Sequence, residues 1–152
     1  MTAEECVMGY AAAFEETYSD DDWSRLERFF AEDATYEVRG GPMACTIAGR
    51  DAIFRGIKKS LDGLDRRSDA RRITLLSGPE THSFADGEHV TLRWEVGYDF
   101  PSAASIAFAG ETVATVVGDR IVRLVDSYAD AEGDKLSAWL ADHARDFDPS
   151  YV

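Results

Sequence analysis

Val7, Tyr10, Ala11, Phe14 and Tyr18 recur at spacings of three and four, which predicts a helix from roughly Ala3 to Tyr18 with one apolar face. Ser19-Asp20-Asp21-Asp22 breaks the pattern and offers capping oxygens to a second helix, whose buried face is Trp23, Leu26, Phe29 and Phe30. From Ala34 to Val38 the period changes to two, so Ala34, Tyr36 and Val38 share one face of a first strand. Gly40-Gly41-Pro42 ends that strand. A loop from Arg39 to Ala48 then leads to Gly49-Arg50-Asp51 and a third helix marked by Ile53, Phe54, Ile57 and Leu61, ending near Gly63.

Beyond Arg71 the pattern is that of strands: Ile73 to Leu76, Thr81 to Phe84, His89 to Tyr98, Ile106 to Val117 and Arg120 to Tyr128. Asp86-Gly87 and Gly118-Asp119 are the tight-turn pairs of a meander. Leu136, Trp139, Leu140 and His143 mark a final amphipathic helix. Helices first and sheet later predict an α+β class. The expected organisation is one domain over residues 1–146, with a loose tail over 147–152.

Composition narrows the function classes. At 152 residues and 45% hydrophobic content, the chain can bury a core without disulfides or a structural metal. Its 29 acidic against 16 basic side chains give a net charge of −13, which repels phosphate backbones and anionic membranes, so neither nucleic acid nor membrane is expected as a partner. Cys6 and Cys45 form no CxxC pair, and the opening residues lack the basic and apolar regions of a secretory signal; the expected location is cytoplasmic. The basic group Lys58, Lys59, Arg66, Arg67, Arg71 and Arg72 is read as complementing a helix C-terminus and solvating the surface.

Phe29-Phe30-Ala31-Glu32-Asp33-Ala34-Thr35-Tyr36, Gly49-Arg50-Asp51-Ala52-Ile53, and Asp119-Arg120-Ile121 with Asp126-Ser127-Tyr128 together resemble the nuclear transport factor 2-like superfamily, in its SnoaL-like and limonene-epoxide-hydrolase-like branch. The resemblance implies a cystatin-like cone: a curved antiparallel sheet wrapped around N-terminal helices, with one internal pocket. It also implies a homodimer paired through the outer face of the sheet. On the ketosteroid isomerase pattern the catalytic tyrosine falls at Phe14, the aspartate base at Val38 and the oxyanion-hole acid near Val113. None of these moves a proton, which leaves Phe14 and Val38 as pocket-lining positions. On the limonene-epoxide hydrolase pattern, Arg93-Trp94-Glu95 matches the Arg-x-acid pair, Asp126 the second acid and Tyr36 the water-holding tyrosine; Val38 replaces an asparagine and Glu95 an aspartate.

Alternation alone puts Asp126 on one face with Val122, Leu124 and Tyr128, a carboxylate in an apolar row that must be paired, hydrogen-bonded or protonated. An arginine between two acids would make their proton affinities unequal. In the catalytic reading Asp126 takes a proton from a water held by Tyr36, Glu95 donates one to a strained ring, and Arg93 orders both. Phe14, Val38, Leu124 and Tyr128 would line the substrate. Two registers of the central strand stay open. In one, Arg93 and Glu95 face the pocket, and the Trp94 and Tyr98 row forms an apolar dimer face. In the other, Val90, Leu92, Trp94, Val96 and Tyr98 line the pocket and Arg93 and Glu95 face away.

His82, His89 and His143 are read as surface or packing residues, and no metal is expected. The expected function is a cofactor-free enzyme on a small apolar or polyketide-like molecule, with epoxide-hydrolase-like acid–base chemistry. The alternatives are a SnoaL-like polyketide cyclase or hydroxylase, and a non-catalytic small-ligand-binding module.

Overall fold

The computed structural model describes residues 1–143 and 146–152. Helix α1 (Ala3–Asp20) starts in a capping box: the Thr2 hydroxyl accepts from the Glu5 amide while the Glu5 carboxylate accepts from the Thr2 amide. It ends at Asp21, whose left-handed φ of 62° reverses the chain. The predicted second helix is a 3₁₀ segment, Trp23–Phe29, and Phe30 already belongs to β1 (Phe30–Arg39). Phe30 is drawn into the strand because it pairs with Ile121, ahead of a register shift that precedes Thr35.

A short strand β2 (Cys45–Ala48) forms in the segment read as loop and pairs antiparallel with β1. Helix α2 (Arg50–Gly63) follows, turned inward through Ile53, Phe54, Ile57 and Leu61. The two predicted strands after it are one long strand, β3 (Ala70–Phe84), with register shifts between Leu75 and Glu80. Strands β4 (Gly87–Asp99), β5 (Ile106–Val117) and β6 (Arg120–Ser127) complete the meander, and α3 (Asp130–His143) closes one end.

The six strands make one sheet in the order β2-β1-β6-β5-β4-β3, antiparallel throughout except for the parallel β1–β6 pair. Helix α1 lies across β3, β4, β5 and β6, the arrangement of a curved sheet folded around its first helix. The α+β cone is therefore the architecture the chain adopts.

The last residues depart from the expected loose tail. Pro149 is buried and its carbonyl accepts from the Ser60 hydroxyl at 2.6 Å, while Lys59 Nζ donates to the carbonyls of Ser150 and Val152. Gly63 permits this docking: a side chain there would run into the Asp148 carbonyl, and the Gly63 carbonyl accepts from the Asp148 amide. The tail is held because α2 offers it donors and a gap, neither of which is visible in the composition of residues 147–152.

Candidate functional site

Between α1, α2 and the concave face of the sheet lies a cavity of about 390 Å³. Its wall is mostly apolar and aromatic, and it contains two polar centres.

The first centre is Asp126 on β6. The β5–β6 pairing sets Thr112 directly opposite it, and the parallel pairing sets Val38 beside it on β1. The Tyr36 hydroxyl donates to Asp126 Oδ2 at 2.6 Å and the Thr112 hydroxyl to Oδ1 at 2.6 Å. Trp94 Nε1, which can only donate, reaches Thr112 Oγ1 at 2.8 Å, so the single Thr112 proton is committed to the carboxylate. Burial pushes the Asp126 carboxyl above the ordinary carboxylate range; the hydroxyl bonds from Thr112 and Tyr36 oppose that shift. Gly110 makes the tryptophan's position possible, since a Cβ there would sit 2.7 Å from the Trp94 ring.

The second centre is Asp65, in the turn after α2. The Tyr98 hydroxyl donates to its Oδ2 at 2.8 Å and Arg71 Nε to the same oxygen at 3.1 Å. Arg71 also binds Glu15 of α1 through Nη1 at 2.8 Å and lies over the Tyr18 ring. Burial raises the Asp65 carboxyl, and the Arg71 charge works against it. The arginine grouped with the surface basic cluster on sequence is thus a half-buried clamp; Arg66 and Lys58, by contrast, pair with exposed Asp21 and Asp62. Trp94 and Tyr98, which contact the two centres, are four residues apart on one strand, a span of roughly 13 Å.

Of the residues expected to act, the structure brings Tyr36 and Asp126 into direct contact and leaves Arg93 and Glu95 on the opposite face of β4, both exposed. The register adopted is the one in which Leu92, Trp94, Val96 and Tyr98 line the cavity. Its physical reason is burial: these four make an apolar row facing α1 and α2, and the reverse register would expose them and sink a charged pair. The apolar dimer face built on Trp94 and Tyr98 goes with the register that is not taken. Phe14, Leu124 and Tyr128 line the cavity, whereas Val38 is buried beside Asp126 without reaching it.

Sequence reasoning missed Thr112, Trp94 in this role, Tyr151 and the whole Asp65–Arg71–Glu15–Tyr98 group. Tyr151 packs edge-on against Tyr36 with ring centroids 5.5 Å apart, so the tail forms part of the wall. Only the apolar row of β4 carried a signal; the others depend on elements distant in sequence. His82 and His89 are exposed, with His89 stacked on Phe84. Cys6 and Cys45 are free. Among the described residues no group of three or more His, Cys, Asp or Glu is placed to hold a metal, and no helix is long and apolar enough to cross a membrane.

No curated protein matches the chain. Solved structures share its fold at low identity. TerC bound to polyporic acid aligns with a TM-score of 0.61 at 12% identity, over 90% of this chain and 98% of that one. A Catenulispora acidiphila protein of ketosteroid isomerase-like fold, in complex with trimethylamine, aligns at 0.57 and 21% identity, over 91% and 98%. A Mesorhizobium loti protein named for its likeness to SnoaL-like polyketide cyclases aligns at 0.57 and 18%, over 84% and 100%. The family model of the SnoaL-like domain matches residues 11–124, which run from the middle of α1 into β6. With that match over the greater part of its length, and the cone and central cavity that accompany it, this chain belongs to the SnoaL-like domain family.

Proposed function

We propose that the cavity binds a small, largely apolar molecule and that Asp126 acts on it as a general base, removing a proton from a carbon next to a carbonyl, as a SnoaL-like cyclase reaction requires. The observation that carries this reading is the Asp126 carboxylate, held by Tyr36 and Thr112 in an aromatic cavity with its proton affinity raised by burial. A raised affinity brings a carboxylate closer to the value at which it both ionises near neutrality and accepts a proton usefully. Tyr10, Tyr128 and Tyr151 also line the cavity, and burial keeps their hydroxyls protonated. They supply neutral donors for an oxygen that gains charge as the proton leaves.

Epoxide opening needs an acid beside this base, and with Arg93 and Glu95 on the outer face that reading has lost its second carboxylate. The neighbours with bound molecules hold an acid in one case and an amine in the other, so the fold does not choose the ligand's charge.

The test is proton exchange in heavy water. Apolar aryl ketones and β-diketones are incubated with the protein, and incorporation of deuterium at the α-carbon is followed by nuclear magnetic resonance. Exchange above background is expected for at least one compound, with Asp126→Asn reducing it by a factor of about 10² or more. Exchange that survives the substitution, or none with any compound, removes the general-base assignment.

A further inference from the structure

Among the described residues the cavity is lined by three carboxylates, Glu15, Asp65 and Asp126, and by one cation, Arg71. That cation is spent: its guanidinium is shared between Glu15 and Asp65. Asp126 forms no ion pair with any described residue and is held by two hydroxyls alone. Around it stand the faces and edges of aromatic rings. Trp94 meets Tyr128 edge-on at 5.8 Å between centroids, and Tyr151 meets Tyr36 in the same manner. An electron-rich aromatic wall beside an uncompensated carboxylate is complementary to one ligand class, a positively charged nitrogen dressed in carbon. The chain's charge of −13 adds long-range attraction of the same sign.

From this arrangement we infer that the cavity's ligand is an apolar organic cation, a protonated tertiary amine or a quaternary ammonium, whose charged nitrogen sits beside Asp126 among Trp94, Tyr128, Tyr36 and Tyr151. The inference rests on the reading of this cavity as a small-molecule site and specifies its chemistry. Such a ligand offsets the cost of ionising the buried carboxylate, so its arrival holds Asp126 ionised as the ligand's counterion. A neutral ligand of the same shape leaves that cost in place.

The pair benzyltrimethylammonium and neopentylbenzene tests this, because the two differ by one nitrogen for one carbon and by the charge. Calorimetric titration of the wild-type protein is expected to find the cation bound at least about tenfold more tightly. Asp126→Asn is expected to abolish most of that difference, bringing the two affinities to within a factor of about three. Equal or tighter binding of the neutral compound overturns the charge preference and leaves the small-molecule reading standing. Failure of both compounds to bind counts against both. A cation preference that persists in a folded asparagine variant overturns the role given to Asp126. If that variant does not fold, the ratio of the two wild-type affinities decides.

Discussion

Asp126 is the residue at which the proposed binding role and stability pull in opposite directions. Its folded-state proton affinity is raised, so at pH values above the ordinary carboxylate range the folded chain holds its proton more tightly than the unfolded chain does. Stability therefore falls as the pH rises from the ordinary carboxylate value through the raised one. Above that window the full cost of an ionised buried carboxylate is present. Asp126→Asn removes it, and a melting temperature higher by a few degrees at pH 7 is expected, with the gain shrinking as the pH is lowered into the window. Thermal unfolding of both proteins at pH 7 and pH 5 measures this; a variant less stable at pH 7 would mean that the hydroxyl bonds outweigh burial. This residue was legible in the sequence because it interrupts the row Val122, Leu124, Tyr128. Its partners were not: Tyr36 was expected through a family likeness, and nothing in the sequence singles out Thr112, which is 14 positions away and meets Asp126 only through the β5–β6 register.

At the level of elements, the central question was which face of β4 turns inward, and the alternation alone fitted both answers. What decides it is the neighbouring strand. Gly110 faces Trp94 across β4–β5 and leaves the space that the indole fills, a notch with no meaning until the register is known. Gly110→Ala places a methyl group against the Trp94 ring and within 3.1 Å of Tyr128, so the indole must move and its bond to Thr112 stretch. A loss of about 1–3 kcal/mol in stability is expected from urea unfolding, with a shift in tryptophan fluorescence. Unchanged values for both would show that the wall yields. The elements that escaped the sequence reading share a cause. In β2 only Ile47 of four residues is buried, too short a run to show a period, and the register shifts in β3 between Leu75 and Glu80 made one strand look like two.

On the scale of the whole molecule, the order of elements and the turn pairs made the cone legible, because a meander with tight turns admits few topologies. The cavity's polar ends were not legible, because each is assembled from segments remote in the chain: Glu15, Asp65, Arg71 and Tyr98 for one, Tyr36, Thr112 and Asp126 for the other.

The parallel pair β1–β6 joins strands whose contacting residues, Tyr36 and Asp126, are 90 positions apart, while β3, β4, β5 and β6 follow one another by short connections. Closing so long a loop costs entropy before any contact repays it, so the seam is expected to form last in folding. In refolding followed by pulsed hydrogen exchange, amides of β4 and β5 are expected to gain protection first and those of Tyr36 and Val38 last; simultaneous protection would place the seam in the nucleus instead. A chain caught before that final step would have most of its sheet and no candidate site.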